Sequence, residues 1–277
     1  MIAGLSGVVI AICPGNMNFT VAQSSVRENY RESSPIIQYS GYRRYILWID
    51  AVEQFRKLMS SKDSDIALDL AVSLIAVATS EGIEVSRLMT RFDELAASVS
   101  CAAPQELVDS LFGSGRFTGN TIEYDDPRNS LIDQVLERRL GIPITLSVLA
   151  IEIGSRVGIE FVGIGMPGHF LCAPSKQNLS GSIPSYYDPF HGPAPLSATE
   201  CQTLYQRLTS LENWSDEFLQ TTSSRQIVIR ILNNLKSIYL RRGDSGGIRT
   251  VMRLRTAIPE LAAGENKLFA KLVRSTN

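Results

Sequence analysis

The chain has little histidine. Of its 277 residues only His169 and His191 carry an imidazole. Chemistry that needs an imidazole near neutral pH is therefore confined to those two positions. There is no HExxH pair, which excludes the helix-borne zinc site of metalloproteases. The four cysteines, Cys13, Cys101, Cys172 and Cys201, stand far apart and form no CxxC. That excludes a zinc knuckle, and so few cysteines in a chain of this length do not make a disulfide scaffold. They read as free, mostly buried thiols of a reducing compartment. Neither charge is in excess: 27 Lys and Arg face 28 Asp and Glu, a formal net charge of -1. No electrostatic footprint favours nucleic acid or an anionic membrane. The stretch Met1 to Ile12 is apolar but too short to span a bilayer, and no Lys or Arg precedes Arg27, so the basic flank of a signal peptide is missing. Cys13 follows Ile12, not the small residue of a lipoprotein cleavage site. Repeats and low-complexity tracts are absent. A cytoplasmic globular protein with no nucleic-acid or membrane partner, no cofactor and no metal is the expectation. The Asn-x-Ser/Thr triplets at Asn18, Asn178 and Asn213 then carry no glycan.

What is present divides into segments. Residues 1–40 read as an ill-defined arm, which an over-extended start would explain. Residues 41–112 read as helices: Ile49, Val52, Phe55 and Met59 recur at helical spacing, as do Ile66, Leu70 and Leu74. Gly82 ends one helix, Ser86 is placed to cap the next, and Pro104 opens a short one. Residues 113–127 form a Gly/Ser/Asn/Asp loop.

Residues 128–192 are the informative part. Arg128 to Leu140 reads as a helix with Asn129 as its cap, a cleft-lining role being the alternative. Gly141 terminates it in the left-handed conformation. Pro143 suits the first turn of a second helix, Ile144 to Val157, which is apolar on nearly every side and therefore buried. Its Glu152 and Arg156, spaced i,i+4, can neutralise each other. Strands are expected over Ile159 to Met166, His169 to Ala173 and Tyr186 to Asp188, with Pro167-Gly168 as a turn. Phe190 and Tyr187 read as core, and His191 as a loop residue. Residues 197–277 return to helix. Arg225 to Leu240 is the clearest element, broken from the last helices at Gly246-Gly247. The Arg241, Arg242, Arg249, Arg253 and Arg255 group reads as a solvated face.

Both histidines lie in one short window beside Asp188. If the strands around 169–173 and 184–188 form a hairpin in simple register, His169 opposes Asp188 and Ala173 opposes Pro184. Opposed residues share a sheet face with Cβ atoms about 4.5–5.5 Å apart. In that layout a carboxylate orients an imidazole and stabilises its charged form. Such a pair activates a nucleophile. Near the start of the buried helix the sequence offers Thr145 and Ser147, neither with an evident base of its own. The Cys172 side chain should face away from His169.

The stretches Asn129-Ser130-Leu131, Arg139-Leu140-Gly141-Ile142-Pro143-Ile144-Thr145-Leu146-Ser147, Pro167-Gly168-His169-Phe170 and Asp188-Pro189-Phe190-His191-Gly192, with Arg230 to Lys236 beyond, resemble the bacterial SirB-type branch of the transglutaminase-like superfamily. The resemblance covers about residues 120–242. It implies an α+β fold with a papain-like core over 113–196, in which a buried central helix packs on a small antiparallel sheet between N-terminal and C-terminal helices. It also implies tetratricopeptide-like helices, here shortened, over 197–277. In active members a cysteine opens the central helix, a histidine starts the following strand and an aspartate lies on the next. His169 and Asp188 match the last two. The cysteine position falls on Pro143, which has no thiol.

Two functions follow, and a third stands behind them. One is a non-catalytic module that binds a peptide or protein in the old cleft, with Asn129 and His191 as possible lining. The other is a hydrolase or acyl transferase for amide or ester bonds, with His169 as base, Asp188 as its orienter and Ser147, Thr145 or water as nucleophile. The third, hydrolysis with a metal on His169, Asp188 and His191, lacks a supporting motif.

Overall fold

The computed structural model describes residues 49–175 and 185–275, with side chains as far as 267. Residues 41–277 cluster as one unit; the arm expected over 1–40 lies outside the described residues, as does the loop partner Pro184.

The N-terminal part is helical. α1 (49–59), α2 (Leu68–Thr79) and α3 (Val85–Ala97) are followed by the short α4 (Pro104–Val108). Ser86 does not cap α3. The helix starts one residue earlier, with Glu84 at the cap position.

The stretch read as one helix from Arg128 is two pieces. Pro127–Ser130 is a 3₁₀ turn capped by Asp126, and α5 runs from Ile132 to Arg138. Asn129 is therefore not a helix cap. It is fully buried, and its amide donates to the Glu123 carbonyl oxygen at 2.7 Å while its Oδ1 accepts from Asn120 at 3.0 Å. Gly141 does not end the helix either. Arg139 takes the left-handed turn, at φ 60°, and Gly141 belongs to β2 (Leu140–Gly141), which pairs in parallel with β1 (Thr118–Gly119). Glycine is needed at 141 because a Cβ would press on Leu146 and on Thr145 Oγ1 at about 3.0 Å.

α6 (Pro143–Arg156) is the central helix, and its first eight residues are all buried. It lies on β3 (Phe161–Ile164) and β4 (Leu171–Pro174). These belong to a five-stranded antiparallel sheet that continues with β5 (Tyr186–Tyr187), β6 (Pro195–Leu196) and, on the far edge, β7 (Thr221–Thr222). Side chains alternate across it, as a pleated strand requires. Phe170, Cys172 and Tyr187 join the main core with α6, while Leu171 and Ala173 join a second cluster with Leu204 and Tyr205. Those last two come from α7 (Ala198–Thr209). The sheet is thus covered on both faces. Glu152 and Arg156 are not a self-contained pair: Arg156 also reaches Asp69 at 2.6 Å and Asp93 at 2.9 Å.

Three helices close the chain: α8 (Ser224–Arg242), α9 (Ser245–Thr256) and α10 (Pro259–Ser275). The break after α8 falls at Gly243, φ 66°, and not at Gly246-Gly247, which lie inside α9. Gly247 has no Cβ because the Tyr239 ring occupies that space. Arg255 departs from the solvated face. It is buried, with Nη2 2.7 Å from Glu265 Oε1. Among the described residues no helix is long and apolar enough to cross a membrane.

Candidate functional site

His169 is carried by a turn. Pro167 and Gly168 are its central residues, Gly168 adopts φ 77°, and the His169 N–H donates to the Met166 carbonyl oxygen at 3.1 Å. That is a type II turn, which takes proline first and needs glycine second. His169 is thus the last residue of the turn; β4 begins two residues later, at Leu171, and not at His169 as read from the sequence. The hairpin register also differs. Cys172 opposes Tyr187, a shift of two residues from the simple alignment. A shift of two preserves side-chain parity, so the facing surfaces stay the same.

Asp188 follows β5 and opens a second turn. Its carbonyl oxygen accepts from the His191 and Gly192 N–H groups, each at 3.1 Å. Its Oδ1 accepts from the Phe190 N–H at 3.1 Å. Its Oδ2 lies 2.7 Å from His169 Nε2 and 2.7 Å from His191 Nδ1. Both histidines of the chain therefore converge on one carboxylate oxygen. His169 and Asp188 are buried, whereas the His191 side chain is 46% exposed. Burial by itself would raise the Asp188 carboxyl pKa, but the hydrogen bonds from His169 and His191 outweigh it and hold the group at about 2. The hydrogen bond to Asp188 raises His191 above the ordinary imidazole value, against the opposing effect of burial. The Asp188 contact uses Nε2 and leaves Nδ1 as the second ring nitrogen of His169. With the proton on Nε2, that nitrogen is an acceptor.

Two further elements hold this arrangement. Arg230 of α8 donates to the carbonyl oxygens of Met166 and His169 and lies 5.5 Å over the Phe170 ring. Phe190 packs edge-on against Tyr124, centroids 5.7 Å apart, and rests on Gly119, where a Cβ would overlap its carbonyl oxygen and ring. Gly119 pairs with Gly141, so the Asp188 turn sits beside the strand that leads into α6. The sequence reading missed Gly119 and Tyr124 as parts of the site. Arg230 does carry a usable sequence signal, an arginine on a largely apolar helix with no acid nearby.

The hydroxyl and thiol candidates are placed as follows. Pro143 is the first residue of α6 and is buried. Thr145 Oγ1 accepts from the Ile142 N–H at 3.1 Å and donates to the Asn129 carbonyl oxygen at 2.7 Å. Its hydroxyl is committed to the helix start. Ser147 Oγ is buried, with the Cys172 thiol as its polar neighbour and no oxygen or nitrogen partner. It stands one turn above Pro143, on the face against β4, where the Cys172 thiol is its neighbour. Burial, reinforced by the Asp188 charge, keeps Cys172 a protonated, inert thiol. Neither hydroxyl hydrogen-bonds His169. Asn129 ties the loop before α5 to the start of α6. His191, expected in a loop, bonds Asp188 and borders a cavity of about 350 Å³ shared with Pro193, Leu196, Leu204 and Arg207.

Known proteins resemble this chain in sequence. Over 133 residues the chain is 41% identical to a UPF0162 protein of Xylella fastidiosa, an alignment that covers 47% of this chain and 46% of that protein. It is 37% identical over 125 residues to a UPF0162 protein of Vibrio cholerae, covering 45% of each. Identity to F-box only protein 21 of Homo sapiens is 25% over 216 residues, 74% of this chain and 33% of that protein. The chain thus spans less than half the length of these relatives. No solved structure matches it significantly. The family model of the transglutaminase-like superfamily matches residues 81–233, which hold α6, the strands and both histidines. With more than half of its length under that match, the chain belongs to the transglutaminase-like superfamily.

Proposed function

We propose that this chain is a transglutaminase-like domain that binds a peptide or protein segment beside its His-Asp pair and performs no thiol chemistry. One observation carries the reading: Pro143, a residue with no nucleophilic side chain, fills the buried first position of α6, where the family resemblance places a cysteine. The occupied hydroxyl of Thr145 and the lack of a hydrogen bond between Ser147 Oγ and an imidazole support it. The cavity beside His191 is the surface where a ligand would sit, with Pro193, Leu196 and Leu204 offering apolar contact and Arg207 a cation. The same reading takes the fold as the papain-like arrangement of the SirB-type branch. It takes residues 41–112 as an N-terminal helical part, 113–196 as the core, 197–277 as shortened tetratricopeptide-like helices, and the cytoplasm as the location.

A second reading keeps a hydrolase of amide or ester bonds. The 2.7 Å contact of His169 and Asp188 favours it, because an oriented imidazole can activate water.

The purified protein is to be offered amide, ester and thioester substrates, and panned against a displayed peptide library. Selected peptides that bind without turnover, and bind at least tenfold more weakly to Leu196→Glu, are the expected result. Turnover that is lost in Ser147→Ala or Thr145→Ala would rule out the binding-only reading. Turnover lost in His169→Ala alone would favour the water mechanism.

A further inference from the structure

We propose that His169, Asp188 and His191 form a binding site for a divalent transition-metal ion of the zinc class. The three donor atoms, His169 Nε2, Asp188 Oδ2 and His191 Nδ1, lie within 4.8 Å of one another. Two imidazoles and one carboxylate are a donor set that zinc takes when a fourth position stays open. The chain spends its whole histidine complement here, with both rings aimed at the same oxygen atom at 2.7 Å. One ring would suffice to orient His169 against Asp188. The second, from a half-exposed side chain, adds a third converging donor that an orienting role does not use.

The movement required is small. Bonds of about 2.0–2.1 Å at tetrahedral angles put donor atoms about 3.3 Å apart. Asp188 Oδ2 must therefore draw back by about half an ångström from each ring, and the rings must close on each other. His191 is free to supply that motion, because its side chain is 46% exposed while His169 and Asp188 are 4% and 6% exposed. Each coordinating nitrogen gives up its hydrogen, which moves to the other ring nitrogen or leaves to solvent. An outer layer is in place: the Phe190 N–H holds Asp188 Oδ1, and Arg230 holds the turn that carries His169. The cavity bordered by Asp188, His191 and Arg207 gives an ion and a water access from solvent. This site needs no peptide, so its failure leaves the peptide-binding reading untouched.

The test uses the untagged full chain, stripped of metal with a chelator. Zinc is titrated by calorimetry and cobalt(II) by visible absorption, on wild type, His191→Ala and Cys101→Ser. One zinc per chain, a tetrahedral cobalt spectrum without a thiolate charge-transfer band, binding at least tenfold weaker in His191→Ala and unchanged binding in Cys101→Ser are expected. Equal zinc binding by wild type and His191→Ala overturns the proposal, as does the absence of binding. Should His191→Ala not fold, proton NMR of the wild type decides, since the chain has two imidazoles to observe. Zinc that shifts the ring protons of both supports the site, and zinc that shifts neither overturns it.

Discussion

Arg230 Nη2 stands 2.5 Å from the carbonyl oxygen of His169, so a helix 61 residues downstream grips the turn that carries the imidazole. The same nitrogen reaches the Met166 carbonyl oxygen at 2.9 Å, and the guanidinium covers the Phe170 ring. Hydrogen bonds from a charged donor contribute about 1.5–3 kcal/mol each, and the cost of burying the cation offsets part of that. Arg230→Met is expected to lose about 2–3 kcal/mol of stability in urea unfolding. Arg230→Lys should recover less than half, because an ammonium cannot serve both carbonyls and lie flat on the ring. A loss below about 0.5 kcal/mol, the range of ordinary surface changes, would show that the clamp is not needed.

Acid stability should report on Asp188. Its folded pKa lies below the unfolded value, at about 2 against 3.8. The stability it contributes is therefore present above about pH 4 and lost as pH falls toward 2, on the order of 2 kcal/mol. His191 has the opposite sign: its raised pKa stabilises the fold below the unfolded imidazole value and the contribution disappears as pH rises past its folded value. The stability difference between wild type and Asp188→Asn should be largest near pH 5 and shrink in both directions. A difference that is flat from pH 5 to pH 2 contradicts this assignment.

Glu152 behaves differently. Burial first, then the neighbouring Asp69 carboxylate, raise it to about 7, against the pull of Arg156. An acid with a raised folded pKa weakens the fold once it ionises, so its penalty is absent at pH 4.5 and grows until pH passes about 7. Glu152→Gln is expected to gain about 1–2 kcal/mol at pH 8 relative to pH 4.5, measured by unfolding at the two pH values. The opposite trend would mean that Arg156 fully compensates the buried charge.

Pro143→Cys tests the position where the family resemblance places a thiol. Proline at the first helical position gives up no hydrogen bond, so the change should cost under about 1 kcal/mol. A thiol at a helix start ionises readily. It is expected to react with iodoacetamide at least tenfold faster than the native cysteines and to slow when His169→Ala is added. Alkylation indifferent to His169 would place the imidazole out of reach of the α6 start.

The helical parts, the buried character of α6 and the pairing of His169 with Asp188 were open to sequence reasoning, because apolar period, turn residues and residue scarcity are local properties. Details that depend on competition were not. The hairpin register, with Cys172 opposite Tyr187, differs by two from the simple alignment because pairing between strands is fixed by packing and not by local pattern. Asn129 became a buried staple because a 3₁₀ turn, and not a helix, follows Asp126. Gly246-Gly247 entered α9 because the left-handed break had already been made at Gly243.

By itself the sequence determined that any imidazole chemistry falls on His169 and His191, and that Pro143 provides no thiol at the start of α6, since composition alone decides which atoms exist. Only the tertiary structure decided that both rings meet one oxygen of Asp188, that Thr145 is committed to backbone and that Arg230 clamps the turn. Those are distances between elements far apart along the chain, and packing, not local preference, sets them.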